Sequence, residues 1–267
     1  MASAPTQEER GRRFAELHEG PCFLIPNPWD GGTARVLEAL GFEALATSSS
    51  AFAFTLGRAD GEVTLDEAVE HVSAIVEASS LPLSVDLENG FGAAPEHAAQ
   101  AIEAVAAVGA VGGSIEDWDP DHGIYEVGAA AERVAAAAEV ARGSESPFML
   151  TARAENHIRG NPDLADTIAR LRAYEEAGAD VLYAPGLETV EEIAAVTAAV
   201  GRPVNVLARP HLTVGAIAGA GARRVSVGGA LAWATIEAMA AVARRMRDDG
   251  DLGDLRDGVQ VGEWLVG

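Results

Sequence analysis

The stretch SVDLENGFG, residues 84–92, joins an apolar run to a pair of acids and then to glycines. A short apolar run bounded by glycine turn signals reads as a strand buried on both faces. Asp86 and Glu88 lie two apart, so on an extended chain both point to one face. Carboxylates that close raise each other's pKa and destabilise the fold unless a cation or a shared proton separates them. The pattern therefore sets two acids side by side at the end of a buried strand.

Working outward, seven further segments look like the first. Strands are expected at 22–27, 44–47, 83–86, 112–116, 148–153, 181–185, 204–208 and 224–227. They are apolar throughout rather than alternating, as parallel strands covered on both faces should be. Ala-rich helical patterns separate them. DEAVEHVSAIVEAS carries Val69, Val72, Ile75 and Val76 on one stripe, with Asp66 as its expected N-cap. The patterns opened by Pro95 and Pro162 end near Gly109 and Gly178. Eight β–α units in 267 residues predict a single α/β domain folded as a (β/α)8 TIM-type barrel. A doubly wound sheet, the alternative, wants fewer strands and a Gly-rich first turn. Residues 1–13 are expected to be a flexible N-terminal segment. Residues 246–267 are expected to be a polar tail whose Trp264–Leu265–Val266 cluster docks on the barrel or on a partner subunit.

Composition narrows the function. The formal charge is −22, which argues against nucleic acid and anionic membranes as partners. No apolar run approaches the roughly 18 residues of a membrane span. The N-terminus lacks the apolar core of a secretion signal, so a cytoplasmic protein is expected. The single Cys22 excludes an intrachain disulfide and a thiolate metal cluster, and reads as a buried structural thiol. All 19 basic residues are arginine. Without lysine there is no Schiff base and no P-loop lysine, which removes lysine aldolases, pyridoxal enzymes and ordinary P-loop nucleotidases.

A barrel of this kind keeps its site at the C-terminal ends of the strands. Taken in order, those ends read Asn27-Pro28-Trp29-Asp30, Thr47-Ser48-Ser49-Ser50, Asp86 with Glu88, Glu116-Asp117, then Arg153 with Glu155, and Asn205 lies in the seventh strand. Four or five carboxylates and one arginine thus share a mouth. No His or Cys spacing suggests zinc or iron, whereas hard carboxylate oxygens suit Mg²⁺ or Mn²⁺. Backbone N–H groups of the Ser48–Ser50 turn can hold a carboxylate or a developing oxyanion. Arg153 needs an anionic partner, from the site or from a substrate. His71 and His97 read as solvated helix-surface residues, and His18 and His211 have no evident partner. His122 and His157 follow strands closely enough to reach the mouth as acid or base.

The segments PNPWDGGTARVLEALGFEALATSSS, LGRADG, SVDLENGFG, GGSIED and TARAEN resemble, in order and spacing, the isocitrate lyase/phosphoenolpyruvate mutase superfamily over roughly residues 14–240. The resemblance implies a (β/α)8 barrel, a homodimer or homotetramer with its last helix swapped between subunits, bound Mg²⁺, and small carboxylate or phosphonate substrates that pass through an enolpyruvate-like species. It implies Asp86 as a direct Mg²⁺ ligand, with Glu88, Glu116 and Asp60 acting mainly through water. It implies Ser48 and the Ser49 amide as holders of the pyruvyl carboxylate and oxygen, and Arg153, Trp29, Asp30 and Asn205 as substrate contacts.

The departures are equally definite. Where the lyases carry a cysteine that supplies a proton, and the phosphonate enzymes a lysine and an asparagine, this chain reads WDPDHGIYEVG. A glutamate that lyases place after the sixth strand is replaced by Ala184-Pro185-Gly186. The expected activity is Mg²⁺-dependent cleavage of a C–C bond in a 2-oxo or 2-hydroxy (di)carboxylate, with Glu155, His122 or a metal-bound water moving the proton. C–P chemistry on a phosphonate and non-catalytic binding of 2-oxo acids are the alternatives.

Overall fold

The computed structural model describes residues 4–255 and 261–265. The chain opens with α1 (Gln7–Glu19), β1 (Phe23–Ile25), α2 (Gly31–Ala39), β2 (Leu45–Ala46), α3 (Ser49–Thr55), α4 (Leu65–Ala78) and β3 (Leu83–Asp86). It continues through α5 (Pro95–Ala107), β4 (Gly112–Glu116), a ribbon of β5 (Trp118–Asp119) and β6 (Gly123–Ile124), α6 (Val127–Gly143) and β7 (Met149–Arg153). It ends with α7 (Leu164–Ala177), β8 (Val181–Tyr183), α8 (Val190–Ala199), β9 (Val204–Leu207), α9 (Val214–Gly219), β10 (Arg224–Ser226), α10 (Ala230–Asp249) and α11 (Val261–Leu265).

Eight of these strands form one parallel sheet in the order β1-β10-β9-β8-β7-β4-β3-β2. The ends of that order meet. Ala46 N–H donates to Pro26 C=O at 3.1 Å, and Asn27 Nδ2 donates to Thr47 C=O at 2.8 Å. The sheet is thus a nearly closed (β/α)8 barrel, as its apolar strands and intervening helices predict. The main core lies between strands and helices, around Leu83, Ile102, Leu150, Leu171, Leu182 and Val206. Among the described residues no helix is long and apolar enough to cross a membrane.

Several boundaries differ from expectation for local reasons. Residues 7–13, expected to be flexible, are the first half of α1, which a Thr6–Glu9 capping box starts. Its Phe14 and His18 plug the N-terminal end of the barrel against Phe23, Ile25 and Val111. Residues 1–3 lie outside the described part. Helix α4 starts at Thr64, whose side chain and Glu67 form the capping box, not at Asp66. Residues 246–249 are not tail but the end of α10. Cys22 is half-buried rather than buried. His71 is stacked on Phe52 with ring centroids 3.8 Å apart and bonds Trp29 C=O, so it is packed rather than solvated. Helix α11 lies against α2, where Arg35 donates to Leu265 C=O at 2.8 Å; Val266 lies outside the described residues.

Candidate active site

Asp86, Glu116 and Arg153 are the last residues of β3, β4 and β7. The ladder pairs Glu116 with Arg153 and Arg153 with Tyr183, so the three share the inner face of the barrel. Arg153 is the hub. Its Nη1 lies 3.2 Å from Glu116 and 3.7 Å from Asp86, and its Nε donates to Glu155. Burial acts to lower its pKa, but Glu116, Glu155 and Asp86 outweigh burial and hold it well above the usual arginine value. Arg159 stands beside it, 3.0 Å from Glu155, with its guanidinium 3.5 Å from the centre of the Trp118 ring.

Asp86 accepts from the Ser49 amide at 3.2 Å and the Ser49 hydroxyl at 3.1 Å. The next residues turn sharply. Glu88 and Phe91 adopt φ of 50° and 60°, a left-handed conformation that non-glycine residues rarely take and that clusters at functional sites. Gly90, with φ 81°, lies against the Ala98 backbone, where a Cβ would sit only 2.8 Å from Ala98 Cα. The crowding has electrostatic consequences. Burial first, then Asp86 and Asp60, push Glu88 up to about 8. Burial, then Glu155 and Asp86, hold Glu116 well above its ordinary range against the pull of Arg153 and Arg159. Asp60 stands on the rim with much of its surface in water; the protein packed around it and then Asp86 push its carboxyl up as well.

Two cavities meet at these acids. One, of about 180 Å³, descends into the barrel and is lined by Ser49, Asp60, Asp86, Arg153 and Asn205 among others. The other, of about 450 Å³, lies outward between the turn after β3 and the β5–β6 ribbon and is lined by Glu88 and Glu116. Among the described residues no three His, Cys, Asp or Glu side chains close into a ready ligand cage. The donors are all carboxylates, mutually repelling and held apart, which is the chemistry of a hard cation that keeps most of its water.

The expected residues separate into those the fold gathers and those it does not. Asp86, Asp60, Ser48, Ser49, Arg153 and Asn205 line the inner cavity, with Glu88 and Glu116 at its outer neighbour. Ser48 caps α3, and the Ser49 amide is directed at Asp86, so it is the acid rather than a substrate that this turn holds here. Glu155 is fully buried, binds both arginines and lines neither cavity. His122 sits on the ribbon, 71% exposed and tied to Asp119 at 2.9 Å, and lines neither cavity. Asp30 is exposed and caps α2, and Trp29 packs beside it; neither lines these cavities. Asp117 faces the opposite side of β4 from Glu116, as strand alternation requires, and is bound by Arg170 and Tyr174. His157 is held by Thr167. Tyr183, Arg224 and Asn27 also belong to the inner cavity. The period-two pattern of VLYAP and RVSV could have marked the first two as inward, but strand-start and uncharged positions drew no chemical reading.

A parallel barrel with acids and one guanidinium at its C-terminal mouth defines a class of small-molecule enzymes built on this scaffold. Residues 14–247 match the phosphoenolpyruvate phosphomutase family, and the chain belongs to that family. A crystal structure of a Burkholderia cenocepacia J2315 protein shares 48% identity, with a TM-score of 0.94 over 98% of this chain and 97% of that one. The chain is 30% identical to a 2-methylisocitrate lyase of Halalkalibacterium halodurans, covering 82% of this chain and 76% of that protein. It is also 30% identical to an oxaloacetate decarboxylase of Paraburkholderia xenovorans, covering 77% and 70% respectively.

Proposed function

We propose that the protein is a Mg²⁺-dependent lyase that cleaves a C–C bond of a small 2-oxo or 2-hydroxy (di)carboxylate. The observation that carries this reading is the acid set itself. Burial first, and then the crowding of acids around Asp86, push Asp60, Glu88 and Glu116 above the usual carboxylate range, and a divalent cation removes the repulsive part. When bound, the cation supplies a Lewis acid that draws charge onto substrate oxygens. Asp86, steered by Ser49, would hold the cation, with Asp60, Glu88 and Glu116 grouped around it. Arg153 is locked by Glu116 and Glu155 and presents its charge to the inner cavity, where it binds the carboxylate of the substrate and offsets the enolate left by cleavage. Of the expected proton carriers, Glu155 and His122 stand off the cavity, which leaves Tyr183 and water to move the proton there. The 2-methylisocitrate lyase and oxaloacetate decarboxylase relatives act by such cleavages, which supports the reading.

The test is a thermal-shift and turnover screen against 2-oxo and 2-hydroxy dicarboxylates, each with Mg²⁺ and with EDTA. Ligand stabilisation that requires Mg²⁺ is expected, and Asp86→Ala is expected to abolish both the shift and turnover. Activity that survives Asp86→Ala sinks the reading. The match to a phosphomutase family favours C–P chemistry as a second reading; phosphate released from phosphonopyruvate would establish it.

We also infer a homodimer or homotetramer joined through α10. That helix has 20 residues, of which only Ala232 is buried. Ile236, Met239, Ala243 and Met246 recur at steps of three, four and three, the spacing of a helix–helix seam.

A further inference from the structure

One row of the barrel ladder runs through Glu116, Arg153, Tyr183, Asn205 and Arg224 as successive partners. Because the strands are staggered, the row descends. Glu116 and Arg153 end their strands at the mouth, whereas Arg224 begins its strand near the floor. Arg224 is buried, at 5% exposed. Its Nε donates to Asn205 Oδ1 at 2.9 Å and its Nη2 to Thr151 Oγ1 at 3.1 Å. Its Nη1 faces His18 Nε2 at 3.4 Å. His18 Nδ1 donates to Phe14 C=O at 2.8 Å, so Nε2 is the acceptor and the imidazole is neutral. All three partners are therefore uncharged. Among the described residues no carboxylate stands within ion-pair distance of Arg224, unlike Arg153 and Arg170, which are each bound by acids.

A buried cation without a counter-ion is expensive, and buried charges are ordinarily paired. A guanidinium has five N–H groups, and the three contacts above leave two of them unused. Arg224 lines the inner cavity. The cavity wall carries Ser84, Ser114, Tyr183, Asn205 and Ser226 among apolar residues, where barrels of this type pack branched aliphatic side chains. The cavity is thus partly polar, carries the Arg224 charge in its wall, and is shared with Asp86 and Arg153. Building on the function proposed above, we propose that Arg224 is a second anion subsite: the substrate is a diacid whose 2-oxo or 2-hydroxy end sits among Asp86 and Arg153 while its distal carboxylate descends to the Arg224 guanidinium.

Pairs of acids matched in chain length test this: 2-oxoglutarate against 2-oxovalerate, and malate against 2-hydroxybutyrate, each titrated calorimetrically with Mg²⁺ and with EDTA. The wild-type protein is expected to bind one of the diacids about ten-fold or more tighter than its monoacid. In Arg224→Gln the preference should collapse to within about three-fold. Arg224→Lys keeps the charge without the fork and should retain a weakened preference, which preserves the test if Arg224→Gln fails to fold. Mg²⁺-dependent binding of the monoacids with no gain for either diacid in the wild type overturns the subsite and leaves the proposed function standing. A preference undiminished in folded Arg224→Gln overturns the subsite too. Diacid binding that needs Arg224 but not Mg²⁺ supports the subsite and overturns the metal reading. Failure of every acid to bind overturns both.

Discussion

Burial and two neighbouring acids push Glu88 up to about 8, so near neutral pH it carries a proton in the folded protein that it lacks when unfolded. The sign follows. Its pKa is raised, so its contribution to stability is complete below about 4.5 and is lost as pH rises through about 8. A cation at Asp86 must expel that proton. Mg²⁺ affinity should therefore climb with pH up to about 8, with protons released as the ion binds. Calorimetry in buffers of different ionisation enthalpy reads the protons directly, and Glu88→Gln should lower the number released; a buffer-independent enthalpy in the wild type would refute it. His18 has the opposite sign. Burial, then Arg224, depress it to about 3, so its contribution is complete above about 6.5 and falls as pH drops toward 3. Between about pH 6.5 and pH 5 the unfolded chain binds a proton that the folded one refuses, a loss of roughly 2 kcal/mol. Urea titrations should show the stability difference between wild type and His18→Gln shrinking by that amount over this range. At this scale Asp86, Glu88 and Arg153 were legible because strand ends in a barrel are a known address. Arg224 and His18 were not. A charged residue that starts a strand looks like one facing water until the stagger of the barrel shows it facing in.

Strand alternation explains why GGSIED was only half legible. Glu116 faces the mouth, and Asp117 turns outward to become a clamp between elements. Its Oδ1 accepts from the Glu155 amide at 2.7 Å, and its Oδ2 from Arg170 at 3.0 Å and from the Tyr174 hydroxyl. Arg170 and Tyr174 belong to α7, so one carboxylate ties that helix to the ends of β4 and β7, which carry Glu116 and Arg153. Removing it leaves Arg170 buried without that acid and the Tyr174 phenol without an acceptor. Asp117→Ala should lose about 3–5 kcal/mol in denaturant unfolding and weaken Mg²⁺-dependent ligand binding in the folded fraction. A loss below about 1 kcal/mol, the scale of an exposed pair, would mean that the clamp carries little. The β5–β6 ribbon escaped sequence reading for another reason. Its strands have two residues each, too short for any periodicity, and it is held by Asp119 bonds to the Asp121 and His122 amides and the Tyr125 hydroxyl.

At the scale of the whole molecule the barrel was legible because eight buried strands and their helices repeat a signal that no single segment carries alone. The N-terminal plug was not, since Gln7–Glu19 is largely polar and buries only Gly11, Phe14 and His18. Helix α10 poses the remaining physical problem. Met239 is 62% exposed, and Leu231, Trp233 and Met246 are also open to water. Such a stripe is an interface when a second helix covers it. Two copies each contributing this seam and its flanks can approach the roughly 800 Å² per partner of a stable contact. The chain's net charge of −22 opposes the meeting of two copies, and salt screens that repulsion within about 10 Å at 0.1 M. Association should therefore tighten as salt rises, the reverse of a contact held by ion pairs. Light scattering behind size exclusion is expected to give a dimer or tetramer at moderate salt, shifting toward smaller species as salt is withdrawn. The double variant Met239→Glu/Ala243→Glu should run at a smaller mass, with its unfolding midpoint as a monomer little changed because neither side chain packs on the barrel. A wild-type protein that stays monomeric at every salt concentration, or a variant that keeps the full mass, would show that α10 is not the joint between copies.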